Sequence, residues 1–291
     1  MTEYLELLQG QYPVLIMALA LMFGLIIGSF LNVVILRLPV MLDREWTQQA
    51  REILSQPPGE EDTTTFNLVY PNSHCPGCKT EIKPWQNVPV ISYLLLKGRC
   101  ANCGIGIPAR YPIVELVTGL LTVVVVATLG LGIVGFFGCL LTWVLICLSV
   151  IDYDTQLLPD DITLPVLWLG LVVNFFGILT PFNDAFIGAC FGYLSLWSVY
   201  KVFKLVTGKE GMGYGDFKLL ALLGAWLGWQ SLPLVIILSS FAGVIIVGLL
   251  IATGREKSKP VPFGPYLAIA GWITLLWGDA IITWYLATFA S

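Results

Sequence analysis

The chain has 291 residues, of which 57% are hydrophobic and 12% charged, with a formal net charge of −4. Its mean hydropathy of +0.82 is far from that of an ordinary soluble domain. A soluble fold cannot bury so much apolar surface. The composition therefore excludes that class and indicates a membrane protein.

Apolar stretches of roughly 17 to 25 residues, long enough to cross ~30 Å of hydrocarbon, recur along the chain. The first stretch has no basic n-region and no small-residue cleavage site, so it is predicted to be a membrane anchor rather than a signal peptide. We therefore predict an all-α polytopic membrane protein of about eight transmembrane helices. The predicted spans are residues 13–36, 112–129, 132–151, 162–180, 184–203, 217–230, 233–253 and 264–287.

The basic residues predict the orientation. All fifteen Lys and Arg fall in segments 37–110, 201–218 and 255–259, and the other loops contain none. With eight spans, these segments lie on the same side of the membrane, which the positive-inside rule makes cytoplasmic. Both termini are then expected in the periplasm.

The one long polar region, residues 38–110, carries a pair of cysteine motifs. Cys75-Pro-Gly-Cys78 is followed after 21 residues by Cys100-Ala-Asn-Cys103. Four thiolates at this spacing are typical of a closed tetrahedral zinc site with a structural role. The region is therefore predicted to be a small cytoplasmic zinc-ribbon-like domain, stabilised by the metal. Disulfides are the alternative, which a reducing cytoplasm disfavours.

The single histidine and the three cysteines outside the paired motifs are predicted to have no chemical role. His74 is the only histidine, and it is predicted to be a solvated loop residue because four cysteines already complete the site. Cys139, Cys147 and Cys190 lie in apolar spans and are predicted to behave as small buried hydrophobic residues.

Two aspartates are the candidate catalytic residues. Asp152 closes the third span and Asp216 opens the sixth, so the topology places both at the inner face. Two neighbouring carboxylates can share one proton and activate water, which is the chemistry of aspartic proteases. Glycines before Asp216 are expected to let the backbone approach a substrate closely.

The acidic residues at the inner face also allow roles other than catalysis. Each candidate aspartate could be a helix-end carboxylate paired with a lysine such as Lys218. The remaining acids at this face, Asp154, Asp160 and Asp161, compete for the catalytic role, although Asp160 and Asp161 suit the N-terminus of a helix. Glu115, near the start of the second span, is ambiguous from sequence.

Taken in order, these motifs resemble those of the bacterial type IV prepilin peptidases, which are GxGD-type membrane aspartyl proteases, over nearly the whole chain. The matching segments are Gly28-Ser29-Phe30-Leu31-Asn32-Val33-Val34 with Arg37-Leu38-Pro39, the paired cysteine motifs, Ile151-Asp152 with Leu157-Leu158-Pro159-Asp160, Gly211-Met212-Gly213-Tyr214-Gly215-Asp216-Phe217-Lys218, and Pro262-Phe263-Gly264-Pro265-Tyr266.

The resemblance implies a bifunctional enzyme of the bacterial inner membrane. Asp152 and Asp216 are the implied catalytic pair, removing a short basic leader from prepilins and type II secretion pseudopilins. Methylation of the new N-terminus by S-adenosylmethionine is also implied, together with zinc at Cys75, Cys78, Cys100 and Cys103. The partners are then these substrates and the lipid bilayer, with no nucleic acid.

The implied domain organisation has a first transmembrane helix over residues 1–37, the four-Cys cytoplasmic domain over 38–110, and a seven-helix peptidase domain over 111–291. Residues that bind the methyl donor are not identified by any motif, because no strand, glycine-rich turn and helix follow one another in the inner loop. Lys97-Gly98-Arg99 is the nearest candidate segment, although a glycine there could simply form a turn.

Three alternative functions remain. The first is a GxGD protease for another membrane substrate without methylation. The second is a proton-coupled transporter in which Asp152 and Asp216 form a proton relay, although no broken-helix repeat is evident. The third is a zinc-ribbon membrane scaffold that tolerates the loss of both aspartates.

Overall fold

A computed structural model describes residues 9–57, 65–252 and 261–289. Within these ranges the chain is helical, with isolated β-bridges in place of strands. The helices are α1 (Pro13–Ile53), α2 (Ile91–Leu95), α3 (Arg110–Leu129), α4 (Ile133–Thr155), α5 (Asp160–Phe175), α6 (Phe182–Thr207), α7 (Tyr214–Leu227), α8 (Leu232–Ala252) and α9 (Gly264–Phe289). Short 3₁₀ turns at Pro84–Gln86 and Trp229–Ser231 complete the secondary structure.

The all-α membrane fold predicted from sequence is confirmed, and a helix stands at each of the eight predicted spans. Six of these helical segments are long and apolar enough to cross a membrane. The other two, α5 and α7, have 16 and 14 residues. Their lengths of ~24 Å and ~21 Å are shorter than the hydrocarbon core. The basic segment 255–259 lies outside the described residues.

Helix α1 is longer than the span predicted at residues 13–36, since it continues through Pro39 to Ile53. Its polar extension is rich in helix-forming residues. Side-chain hydrogen bonds one turn apart support it, from Gln48 to Glu52 and from Gln49 to Glu45. Hydropathy finds only the apolar part of such a helix, so the predicted span does not include the polar extension.

The described residues form two compact units, divided between Leu131 and Gly132. In the N-terminal unit, α1 packs along α3 through small residues. The Gly28 Cα is so close to α3 that a Cβ would lie 2.7 Å from the Glu115 Cα. Asn32 Nδ2 donates to the Tyr111 carbonyl oxygen over 3.1 Å, which joins the two helices near the polar region.

In the C-terminal unit, the short helix α7 is the centre of the core. Phe217, Leu222 and Trp226 are among its fully buried side chains. Because the surrounding helices cover α7 over most of its length from Asp216 to Trp226, this part of the helix is shielded from lipid. The indole Nε1 of Trp226 is buried with a partner, donating to the Val166 carbonyl oxygen over 2.9 Å.

Close backbone contact fixes α6 against α7. A Cβ on Gly188 would collide with the Gly224 carbonyl group, and a Cβ on Gly224 would collide with that of Gly188. Asn174 provides hydrogen bonds to carbonyl oxygens at the C-terminus of α7, where its Nδ2 donates to those of Ala225 and Trp226 at 2.8 and 3.1 Å. The C-terminal half of α7 is therefore fixed against α6 and against Asn174 of α5.

Candidate active site and cysteine cluster

Asp152 lies in the last turn of α4, and only 5% of it is exposed. A carboxylate near a helix C-terminus is opposed by the helix dipole, so its own helix does not favour it there. Support comes from another helix, since the backbone N–H of Gly264, the first residue of α9, donates to Asp152 Oδ2 over 2.9 Å. The positive end of the α9 dipole thus faces this carboxylate.

Asp216 occupies the third position of α7, whose N-cap is Gly213, and it is 8% exposed. A backbone hydrogen bond from Gly213 supports its carboxylate. This is the backward half of a capping box, in which an acidic side chain at the third position accepts from the N-cap N–H. Asp216 thus accepts a hydrogen bond at the N-terminus of its own helix, whereas Asp152 accepts one from the N-terminus of α9.

The C-terminal unit brings the two predicted aspartates together. The carboxyl groups of Asp152 and Asp216 are close enough for their charges to interact. Both are buried, so little water screens that interaction. Residues from α4, α7 and the start of α9 therefore form a two-carboxylate site at one end of this unit.

Lys218 does not pair with Asp216. Its Nζ contacts both oxygens of Asp160, each at 2.7 Å. Asp160 and Asp161 lie in the first turn of α5 without a side-chain cap hydrogen bond at its N-cap, Pro159. Asp160 therefore has a partner of its own, and the lysine considered as the ion-pair partner of Asp216 is engaged elsewhere.

Of the glycines before Asp216, Gly215 serves packing, whereas a Cβ on Gly213 would meet its nearest atom, Asp216 Oδ2, only at 3.9 Å. A Cβ on Gly215 would lie 2.8 Å from the Leu158 Cβ, so this face of the turn is already covered. Leu158 also lies beside Gly264, where a Cβ would be 3.3 Å from its Cδ2 and 2.6 Å from Asp152 Oδ2. The side chain of Leu158 thus packs against the first turn of α7 and the first residue of α9, the two helix starts that support the aspartates.

In the N-terminal unit, the two Cys-x-x-Cys motifs form matching turns. Lys79 N–H donates to the Cys75 carbonyl oxygen and Gly104 N–H to that of Cys100, over 2.9 and 3.0 Å. Lys79 and Gly104 both have positive φ, and a single β-bridge flanks each turn. All four Sγ atoms lie within 4.8 Å of one another. The cluster predicted from sequence can therefore hold one metal ion.

The electrostatics of the cluster favour a thiolate at two of its cysteines, whereas at Cys103 the backbone hydrogen bond from Ile105 is outweighed by burial and hydrogen bonding with the other cysteines, which raise the pKa of that thiol to about 11. Hydrogen bonding with Thr80 and then with Asn102 lowers the pKa of the Cys78 thiol to about 5. Backbone hydrogen bonds from Cys103 and Asn102 lower the pKa of the Cys100 thiol. Zinc binds the deprotonated sulfur, so Cys78 and Cys100 are prepared for a metal.

The residues to which no chemistry was assigned occupy different environments. His74 is exposed, and its Nδ1 lies 3.0 Å from the Asn72 carbonyl oxygen. Cys139 and Cys147 are buried, as predicted. The same prediction is wrong for Cys190, which is exposed on the surface of α6, because an apolar span in a membrane protein has faces that no other helix covers.

Comparison with known proteins gives consistent matches over both units. Residues 22–129 match the Bacterial Peptidase A24 N-terminal domain, and residues 139–248 match the Type IV leader peptidase family. The chain is 57% identical over 290 residues to the prepilin leader peptidase/N-methyltransferase of Aeromonas salmonicida (strain A449), with 99% of each chain covered.

More distant relatives carry the same name. The chain is 55% identical to the Pseudomonas aeruginosa protein, covering 95% of this chain and 96% of the relative, and 47% identical to that of Neisseria gonorrhoeae, covering 92% and 94%. No solved structure matches the chain significantly. The resemblance inferred from the motifs is confirmed, and the chain belongs to the type IV leader peptidase family.

Proposed function

We propose that Asp152 and Asp216 are the catalytic dyad of an aspartic endopeptidase that removes the short basic leader from type IV prepilins and type II secretion pseudopilins. The chain is an enzyme of a protease family. The observation that supports this site is the pair of buried, interacting carboxylates, each held by a backbone N–H at the start of a helix. Such a pair can act on water without a covalent intermediate.

The mechanism follows from proton sharing. One carboxylate holds a proton while the other accepts a proton from water, which then attacks the scissile carbonyl carbon. The protonated carboxyl group donates to the carbonyl oxygen and stabilises the charge that develops there. Transfer of a proton to the leaving amine nitrogen then breaks the C–N bond. Hydrogen bonds from the backbone N–H groups of Gly264 and Gly213 hold both carboxylates in position during these steps.

We further propose that the dyad lies at the cytoplasmic face of the inner membrane, with both termini in the periplasm. The distribution of Lys and Arg supports this orientation, since all fifteen fall in segments that eight spans place on one side. The family and the apolar helices establish a multi-pass inner-membrane protein. The cytoplasmic placement is consistent with a leader that carries positive charge.

Cys75, Cys78, Cys100 and Cys103 are proposed to hold a structural zinc ion. Their mutual Sγ distances and matching turns fit four-sulfur coordination, which leaves no position for a substrate. The metal would stabilise a polar region that lacks a large core of its own. The name of the relatives also supports N-methylation of the new N-terminus, with S-adenosylmethionine as the methyl donor.

The test is to incubate the purified full-length protein with a prepilin and labelled S-adenosylmethionine. The mass and label of the product N-terminus are then measured. A leader-less product carrying one added methyl group is the expected result. A protein that retains its fold and zinc but leaves every prepilin and pseudopilin intact would contradict the proposed substrate class, and a cleaved, unmethylated product would contradict methylation.

A further inference from the structure

The N-terminal unit contains a cavity of about 380 Å³ that none of the catalytic groups described above uses. It lies between the apolar part of α1, the start of α3 and the loops around the cysteine turns. Its volume falls in the range of small-molecule sites. Phe66, Tyr93 and Tyr111 contribute aromatic side chains to a largely apolar wall. Such a wall suits a flat heterocycle that stacks on aromatic rings.

Glu115 supplies a carboxylate to this apolar cavity, and it is only 7% exposed. Its Oε2 accepts from the Val90 N–H over 2.7 Å, and Ser29 also hydrogen-bonds to the side chain. A carboxylate has about four acceptor positions, so these two bonds leave room for a further donor or a positive charge. A carboxylate buried among apolar groups is costly unless it is compensated.

The backbone that holds Glu115 is strained. Val90 has φ 60° and ψ −47°, and the Ile91 N–H donates to the Pro89 carbonyl oxygen across it, which forms a γ-turn. A β-branched residue at positive φ is a genuine outlier. The hydrogen bonds of Ser92, which accepts from Val88 N–H and donates to the Trp85 carbonyl oxygen, brace this turn. Such strain persists where the surrounding structure holds a functional geometry.

We propose that this cavity is the methyl-donor site, in which the Glu115 carboxylate faces a positive charge of S-adenosylmethionine and the aromatic wall takes its adenine ring. This inference rests on the proposed N-methyltransferase function. The donor combines a flat heterocycle with a sulfonium and an ammonium group, and the cavity combines an aromatic wall with the buried Glu115 carboxylate. The Arg37 guanidinium also lines the cavity, where it donates to the carbonyl oxygens of Asn67 and Pro71. A carboxylate in an apolar site attracts a cation strongly.

The change of charge during methyl transfer gives a reason for placing a carboxylate beside the donor. Methylation forms an N–C bond to a neutral amine nitrogen, breaks the C–S bond with its electron pair left on sulfur, and releases one proton from nitrogen to water. The positive charge on sulfur disappears in that step. A carboxylate close to the sulfur would therefore hold the donor more tightly than the spent thioether, which favours exchange after each turnover.

The segment Lys97-Gly98-Arg99, suggested by sequence as the nearest candidate, does not line the cavity, although its neighbours Leu96 and Cys100 do. Gly98 has φ 67°, and its N–H donates to the Tyr93 carbonyl oxygen over 2.9 Å. A Cβ there would lie 2.9 Å from Tyr93 Oη. Gly98 thus forms a turn that positions Tyr93 in the wall, and its effect on the donor would be indirect.

Equilibrium binding of S-adenosylmethionine to the full-length protein in detergent tests this site directly, without any turnover. Glu115→Gln removes the charge and keeps the shape, and we expect it to weaken binding roughly ten-fold or more, about 1.4 kcal/mol. Val33→Phe puts a larger side chain on a cavity-lining position of α1 and should weaken binding similarly. Light-induced crosslinking of the labelled donor should mark peptides within residues 85–115.

Matched variants serve as controls. Glu45→Gln changes an exposed acid on α1, and Val14→Phe makes the same enlargement at an 83% exposed position of that helix. Neither should alter binding. Bound zinc and thermal unfolding show whether each variant is folded. Unchanged affinity in folded Glu115→Gln and Val33→Phe, or crosslinks confined to residues outside the cavity wall, would overturn the inference.

The wild-type reaction separates this inference from the function on which it rests. A wild-type protein that binds no donor and methylates no cleaved prepilin would show that the proposed methyltransferase function is wrong. A wild-type protein that methylates normally, whose donor affinity is the same in both folded cavity variants, would show that only the cavity assignment is wrong.

Discussion

Lys218 pairs with Asp160 on a different helix, 58 residues away, although Asp216 is only two residues from it in the chain. Because Asp160 is half exposed, this ion pair should contribute about 1 kcal/mol or less to stability. We therefore expect Lys218→Ala to leave folding and leader cleavage nearly unchanged. Thermal unfolding and a cleavage assay measure both effects.

Asp160→Asn is the matched variant, since it breaks the same pair from the other side. The two substitutions should have similar small effects. If Lys218→Ala were destabilised as much as Asp216→Asn, the lysine would compensate the buried Asp216 carboxylate. That result would support a purely structural role for Asp216.

Gly264→Ala should remove most of the leader cleavage, because the new Cβ would lie 2.6 Å from Asp152 Oδ2 and 3.1 Å from its Cγ. The carboxylate must then move or lose its backbone hydrogen bond. A displacement of about 1 Å in a catalytic group can reduce the rate on the order of 100-fold. Initial rates of prepilin cleavage measure this loss.

Gly248→Ala is the control for that substitution, because an added Cβ at Gly248 meets no atom within 4 Å. It should cleave like the wild type. If Gly264→Ala cleaves at the wild-type rate as well, the contact between α9 and Asp152 is not part of the catalytic geometry.

The sequence predicted the helical membrane fold well, because long apolar stretches have few other solutions in a bilayer. It did not include the polar extension of α1 to Ile53, and it did not show that α7 is covered by its neighbours. Both differences have one cause. Hydropathy records how apolar a segment is, whereas a polar helical extension and a helix covered by its neighbours depend on contacts along or across the chain.

The candidate site was predictable to the extent that it depends on single residues. Asp152 and Asp216 stand out because a carboxylate in an apolar chain is costly. The backbone groups that hold these carboxylates do not stand out in the sequence, since the Gly264 N–H is 112 residues from Asp152. The same holds for Glu115, whose hydrogen-bond donor, the Val90 N–H, is 25 residues away in sequence.

Cys75→Ser and Cys100→Ser should each lower the amount of bound zinc, because three thiolates and a hydroxyl cannot complete the same tetrahedron. The loops around the cysteine turns should then become more accessible to protease. Metal analysis of the purified proteins measures the first effect, and limited proteolysis the second.

Cys190→Ser is the matched control, since Cys190 is an exposed cysteine outside the cluster. It should retain full zinc content. Wild-type zinc stoichiometry in both Cys75→Ser and Cys100→Ser would contradict a four-cysteine metal site.

The orientation can be mapped with single cysteines near Arg44, Lys209 and Lys257, using reagents that do not cross the membrane. Because basic loops are retained on the cytoplasmic side, we expect all three positions to be protected in intact cells and labelled after permeabilisation. Reporter fusions at both termini should give a periplasmic signal. Labelling of any of the three positions in intact cells would overturn the eight-span orientation.

Asp152→Asn and Asp216→Asn should each abolish leader cleavage while leaving membrane insertion and zinc content intact. An amide keeps the shape of the carboxyl group but cannot exchange the shared proton, and proton transfer of this kind contributes on the order of 10²- to 10⁴-fold. Asp161→Asn, an exposed carboxylate in the first turn of α5, is the control and should cleave normally.

The same variants separate the two reactions. If methylation uses the distinct site in the N-terminal unit, Asp152→Asn and Asp216→Asn should still methylate a pilin whose leader has already been removed, although neither can produce that N-terminus. Mass measurement of the pilin with and without its leader distinguishes the two steps. Substantial cleavage by a well-folded Asp216→Asn protein would rule out the aspartyl dyad, because Asp216 is the carboxylate whose charge interacts with that of Asp152 and the shared proton requires both.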